Sequence, residues 1–182
     1  MPIFILFLSL VIAIFMPGCS GNQTRFPYAV DITNEQAGRI APETSFDASQ
    51  IARLMPGFDV VPYTAVADGV TLKVLRITRH GTPVMTLTPA MNGEHIAAVT
   101  VESPEITAEG RFHIGSRFET IFDSRTTCIL EHPPSGRELL CRAPGSTRIF
   151  YRFTLPAPAR ELPPVDALRS LIVASIVWSN DA

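Results

Sequence analysis

Residues 58–101 read FDVVPYTAVADGVTLKVLRITRHGTPVMTLTPAMNGEHIAAVTV, and the pattern of this stretch decides the fold. Extended segments at Phe58 to Val66, Val70 to Thr78, Val84 to Thr88 and Glu94 to Val101 are rich in Val, Ile, Thr and Leu, residues suited to a pleated, half-buried surface. They are punctuated by Asp68-Gly69, Arg79-His80-Gly81 and Asn92-Gly93, where glycine tolerates the positive φ of a tight turn. Short strands joined in this way form an antiparallel meander.

Immediately before the meander, Thr44-Ser45-Phe46-Asp47 opens a short helix that runs to about Leu54. Thr44 or Ser45 serves as its cap, Phe46, Ile51 and Leu54 share one face, and Asp47 sits near the positive end of the helix dipole. Met55-Pro56-Gly57 ends it. After the meander the plan begins again. Ser116 and Glu119 have capping-box spacing, and Phe118, Ile121 and Phe122 form the apolar face of a second helix.

Strands follow at Thr127 to Glu131, Arg137 to Cys141 and Thr147 to Thr154. In the last of these, Thr147, Ile149, Tyr151 and Phe153 alternate with Arg148, Phe150 and Arg152, so the two sets occupy opposite faces. A proline-rich bridge from Pro156 to Pro164 leads to Leu171–Trp178, LIVASIVW, which is apolar on both faces and reads as a buried strand near the sheet centre. The expected class is α+β: antiparallel sheet with two short helices packed on it, in similar helix-then-strands halves. One continuous sheet and two lobes both satisfy the pattern.

The chain has 182 residues, with 15 basic and 17 acidic side chains and a formal net charge of −2. A nucleic-acid binder usually shows a basic excess or stripe, so that class is excluded. Apolar residues make up 46% of the chain, enough to bury a core. The expectation is a single folded domain.

No charged side chain precedes Arg25, which makes the N-terminus a separate physical object. Ile3 to Phe15 is a 13-residue apolar run, shorter than the roughly 20 residues of a spanning helix and within the range of a signal-peptide core. It ends at Met16-Pro17-Gly18-Cys19-Ser20. Here the chain resembles a bacterial lipoprotein precursor, in which a small residue precedes the cysteine that is acylated and becomes the mature N-terminus. The resemblance implies lipidation at Cys19 and, with Ser20 rather than Asp after it, an outer-membrane anchor facing the periplasm. Each buried methylene would contribute about 0.8 kcal/mol to that attachment. The expected organisation is a signal peptide over 1–18, a flexible tether over 19–42 with room for a short strand near Tyr28 to Ile32, and one α+β domain over 43–182.

Three cysteines are present. With Cys19 lipidated, Cys128 and Cys141 are left to pair, at the outer ends of two short apolar stretches around a Pro133-Pro134-Ser135-Gly136 turn. An oxidising compartment favours that disulfide, whereas two reduced core thiols would suit a cytosolic protein. The spacing, with only His132 nearby, does not assemble a zinc site.

His80, His95, His113 and His132 lie on separate segments without His-Glu-x-x-His spacing. Surface or cap positions account for them more simply than metal binding or general-base work. Gly115-Ser116-Arg117 is not a nucleophile elbow, and Glu102, Glu105 and Glu109 around Pro104 read as solvated charge. Arginine outnumbers lysine 14 to 1, scattered over every segment. Arg148 and Arg152 with Phe150 between them form one local patch suited to an acidic partner or a lipid headgroup, although a salt-bridged outer sheet face is the simpler account of them. Neither a cofactor nor a metal is implied.

The ordered set of Pro56-Gly57-Phe58, Thr86-Leu87-Thr88-Pro89, Val99-Thr100-Val101-Glu102-Ser103-Pro104, Ile114-Gly115-Ser116-Arg117-Phe118, the two later cysteines with Pro144-Gly145-Ser146, and Ile176-Val177-Trp178 resembles the envelope-stress (RpoE)-regulated lipoproteins of Gram-negative bacteria, a family of unknown function. The resemblance spans about residues 44–178 and rests on turn and sheet residues, so it brings no active site. What it implies is a non-enzymatic envelope lipoprotein, a binding or structural module that supports another envelope component under stress. The alternative is a periplasmic enzyme or small-ligand-binding protein with a site built from dispersed residues such as His95, His113 and Glu102. That reading requires those side chains to converge.

Overall fold

A computed structural model describes residues 30–67, 69–124, 127–131 and 137–180. The leader, Cys19, His132 and the Pro133–Gly136 turn lie outside the described residues. The elements run β1 (Asp31–Ile32), α1 (Ala48–Leu54), β2 (Asp59–Ala67), β3 (Val70–Arg79), β4 (Thr82–Pro89), β5 (Ile96–Val101), β6 (Thr107–Ala108), α2 (Phe118–Ile121), β7 (Cys128–Glu131), β8 (Glu138–Arg142), β9 (Ile149–Thr154), α3 (Val165–Leu168) and β10 (Val173–Ser179). The class is α+β, as the periodicity requires.

One eight-stranded sheet, ordered β2-β3-β4-β5-β10-β9-β8-β7, contains both meanders. The last strand of each meander meets the other at the centre, with Val101 opposite Ile176 and Val99 opposite Trp178 in antiparallel register. The halves are therefore continuous, and each places its first strand at an outer edge. β1 and β6 form a separate small parallel pair.

Because cross-strand partners share a face, the register separates the two sides of the sheet. Leu75, Ile77, Met85, Leu87, Val99, Val101, Ile176, Trp178, Ile149, Tyr151, Phe153, Leu139 and Cys141 point one way and are buried. Ile51 and Met55 from the α1 region, Phe118, Ile121 and Phe122 from the α2 region, and Leu168 of α3 join them in one core. Aromatic contacts tie α2 to β9, with the rings of Phe118 and Phe153 5.4 Å apart and those of Phe122 and Tyr151 6.0 Å apart, both edge to face.

The helices sit where the apolar spacing places them, but their caps differ. Asp47, not Thr44 or Ser45, caps α1: its carboxylate accepts from the Gln50 amide, which satisfies an orphan donor and places negative charge at the helix start. Thr44 is buried and its hydroxyl accepts from the Ala41 amide instead. The Ser116 capping box does not form either. Ser116 Oγ accepts from the His113 amide, and α2 begins after Arg117 without a side-chain cap.

Residues 30–42, which composition assigns to a tether, contribute Val30, Ile32, Ala37 and Ile40 to the core. β1 pairs with β6, and Asp31 Oδ1 accepts from the Thr107 hydroxyl and the Gly110 amide. Asn34 Oδ1 likewise accepts from the Ser146 hydroxyl and the Thr147 amide. Partners so distant in sequence leave no local periodicity, so tertiary contacts override a composition that reads as linker. The tether expectation is corrected over this part of its range.

The final strand occupies the sheet centre, but only one of its faces is closed. Val173, Ile176 and Trp178 are buried, while Ala174 is exposed and Val177 is half-buried. Its apolar character therefore extends onto a surface that the described helices leave open. At the sheet's far edge Cys128 and Cys141 are directly opposed on β7 and β8 and form a disulfide.

Candidate functional site

One side of the sheet is left uncovered by the helices among the described residues. Reading the register across it gives a row of Val61, Arg76, Thr86, Thr100, Val177, Phe150 and Arg142. The centre is thus small and hydroxyl-bearing, with an arginine on each wing. Thr86, Thr100, Val177 and Phe150 are all half-buried, as expected of a sheet face open to solvent.

Phe150 and Arg152 share this face, whereas Arg148 precedes β9 and turns its guanidinium toward Asn180 and the core-side Trp178 ring; both arginines are engaged. Arg152 lies between β7 and β8 carboxylates, with Nε 3.0 Å from Glu131 and 3.2 Å from Glu138. Since Glu131 stands directly opposite Glu138, a like-charged cross-strand pair is neutralised by the third strand. Arg148 Nη1 donates to Asn180 Oδ1 at 2.7 Å, and its guanidinium carbon lies 5.6 Å from the centre of the Trp178 ring. Arg152 thus has the salt-bridged character of the second reading, while Phe150 stays half-exposed beside it.

The opposite wing holds a pair that the sequence did not single out. The guanidinium carbon of Arg76 is 3.7 Å from the ring centre of Tyr63, a cation–π stack. Tyr63 and Val61 beside it are 45% and 47% exposed. Arg76 Nε is closed to solvent and has no hydrogen-bond partner. Among the described residues no acidic side chain pairs with Arg76, whereas its neighbour Arg79 is bound to Glu105 at 2.6 Å. Alternation alone puts Arg76 on one face of β3. Only the β2–β3 register brings Tyr63 within reach of it.

The dispersed residues of the enzymatic alternative do not converge. His95 immediately precedes β5 and Glu102 immediately follows it, so a strand of about 20 Å separates them. Glu102 accepts from the Thr86 hydroxyl. His113 is exposed, with Nδ1 2.8 Å from the Ile114 carbonyl oxygen, and His80 is exposed in the β3–β4 turn. Among the described residues no group of His, Cys, Asp and Glu is placed to hold a metal ion, and no helix is long and apolar enough to cross a membrane.

A cleft of about 300 Å³ lies between the N-terminal wrap and the end of α1, lined by Val30, Arg39, Leu54, Met55 and Phe58 among others. None of the described histidines lines it. Elsewhere the Tyr151 phenol is buried without a hydrogen-bond partner. Burial, reinforced by the negative charges of Glu109 and Asp31 and opposed by Arg111, pushes its pKa well above the usual phenol value. A group held neutral in this way belongs to the core; it is not poised for proton transfer.

The chain is similar to the crystal structure of the uncharacterized protein yfeY from Escherichia coli, at 20% identity over 82% of this chain and 99% of that one, with a TM-score of 0.67. At that identity the likeness establishes the fold. No curated protein matches the sequence. Residues 22–180 match the model of a family described as protein of unknown function (DUF1131). The chain, with its continuous two-meander sheet, belongs to that family.

Proposed function

We propose that this protein is a non-enzymatic cell-envelope lipoprotein, anchored in the outer membrane through Cys19 and facing the periplasm, where its domain binds or supports another envelope component under stress. The observation that carries the reading is the Cys128–Cys141 disulfide. Such a bond persists in oxidising compartments, and it uses two of the three cysteines, leaving Cys19 at the end of the apolar leader. The position after the anchor, Ser20, favours outer-membrane sorting by the lipoprotein resemblance. The open sheet face supports a binding role, because it leaves half-buried apolar and hydroxyl groups accessible on a rigid framework.

Metabolic labelling with palmitate tests the anchor. Label is expected on the chain processed at Cys19 and absent in Cys19→Ala, and the processing is expected to be sensitive to globomycin. Label retained in Cys19→Ala, or native protein recovered in the cytosol at its full length with three titratable thiols, overturns the reading.

A further inference from the structure

We propose that Arg76, stacked on Tyr63, is the anchor for an acidic side chain of a partner protein lying across the open face of the sheet. The inference rests on the binding role proposed above and names the chemistry of the partner.

The arginines of the strand region are otherwise accounted for. Arg79 is bound to Glu105, Arg152 to Glu131 and Glu138, and Arg148 to Asn180. Arg142 is exposed and unstacked. Arg76 alone among these combines a fixed orientation, a buried Nε without an acceptor and no acidic partner among the described residues. The stack on Tyr63 has already removed much of the side chain's freedom, so a carboxylate would meet a pre-oriented guanidinium fork. Tyr and Arg side by side, next to an exposed Val61, match the composition of energetically dominant interface positions.

The surroundings select the kind of partner. Glu102, Glu131 and Glu138 share this face with the arginines, so it is not the continuous basic surface that an anionic membrane would attract. A single carboxylate placed at Arg76 avoids those charges. Addition of a strand to the β2 edge is a poorer mode of docking, because Pro62 interrupts the outward row of amide donors. The partner therefore lies on the face and does not extend the sheet.

The test is photo-crosslinking in intact cells, using the full-length protein with p-benzoylphenylalanine in place of Thr88, which is half-buried on the same face. The expected product is an adduct to another protein through a peptide containing Asp or Glu. Its yield should fall at least tenfold in Arg76→Gln and stay unchanged in Arg142→Gln. Several results overturn the proposal: no adduct, an adduct that persists in Arg76→Gln, an attached peptide without an acidic residue, an adduct to phospholipid, or one to a second copy of this chain.

Should Arg76→Gln fail to accumulate, a second measurement decides. The full-length protein in neutral detergent micelles is titrated with acetyl-Gly-Glu-Gly-amide and with acetyl-Gly-Gln-Gly-amide while the Arg76 Nε–H resonance is followed. A saturable shift with the Glu peptide alone is expected; equal shifts, or none, overturn the proposal. Failure of palmitate labelling with the crosslink intact removes only the lipid anchor. Intact labelling without the crosslink removes only the Arg76 site.

Discussion

Val101 of β5 lies directly opposite Ile176 of β10, and this pairing joins the two meanders into one sheet. Both side chains are fully buried. Ile176→Ala is therefore expected to cost about 2–5 kcal/mol, the range for truncating a large aliphatic in a packed core. Ala174→Ser, at an exposed position of the same strand, should change stability by less than about 0.5 kcal/mol. Urea unfolding of both variants checks the difference. A single transition retained in Ile176→Ala would show that the halves unfold together.

The disulfide closes a loop of sequence separation 13 at the β7 edge. In the chain-entropy model a loop of this size is worth about 3 kcal/mol, and removal of such bonds from small secreted domains typically costs about 2–5 kcal/mol. Cys128→Ser with Cys141→Ser should lose stability in that range and should no longer respond to reductant. Wild-type protein with the same unfolding midpoint in the presence and absence of reductant would contradict the expectation.

Removing Arg152 leaves Glu131 facing Glu138 without a counter-charge. The three side chains are partly exposed, so solvent screening keeps the effect modest, and Arg152→Ala is expected to lose about 1 kcal/mol. Adding Glu138→Gln to Arg152→Ala should restore part of that loss by abolishing the repulsion. Thermal unfolding at low and high salt is the check, and the deficit should shrink as ionic strength rises.

Gly38 has φ +66, and a Cβ there would stand 2.9 Å from Val30 Cγ1. Gly38→Ala combines the left-handed backbone penalty, about 1–2 kcal/mol, with a contact that forces Val30 to move. Gly69→Ala shares the backbone penalty at φ +77 but meets nothing within 4 Å. The Gly38 variant should therefore be the less stable of the two, by denaturant midpoint, because residues 30–42 pack as part of the core.

Tyr151 keeps its proton to higher pH in the folded state than in the unfolded chain, chiefly because burial disfavours the phenolate. An unfolded tyrosine loses its proton near pH 10. The stability associated with the neutral phenol is therefore fully present below about pH 10 and declines as pH rises from there toward the elevated folded value. In Tyr151→Phe this alkaline loss should be reduced. At neutral pH the substitution should be close to neutral, since the hydroxyl gives up no hydrogen bond. Unfolding curves at pH 7 and pH 11 separate the two expectations.

Much of the sheet is legible locally. Alternation places Ile149, Tyr151 and Phe153 on one face and Phe150 and Arg152 on the other, and the Asn92-Gly93 turn separates β4 from β5. The Arg76–Tyr63 pair was not legible in this way, because each residue alone is an ordinary strand position. The engagement of Arg152 was equally hidden: its partners lie on two other strands.

By itself the sequence determined the class, the approximate positions of the eight strands of the main sheet, the Cys128–Cys141 pairing made available by their spacing and the apolar core of β10, because alternation, turn chemistry and chain proximity act over a few residues. The tertiary structure decided that β5 and β10 join the meanders, that residues 30–42 complete the core, and that the described helices all pack on one side of the sheet. These outcomes depend on which distant surfaces bury one another. That competition is settled by the summed burial of the whole chain, which no local window contains.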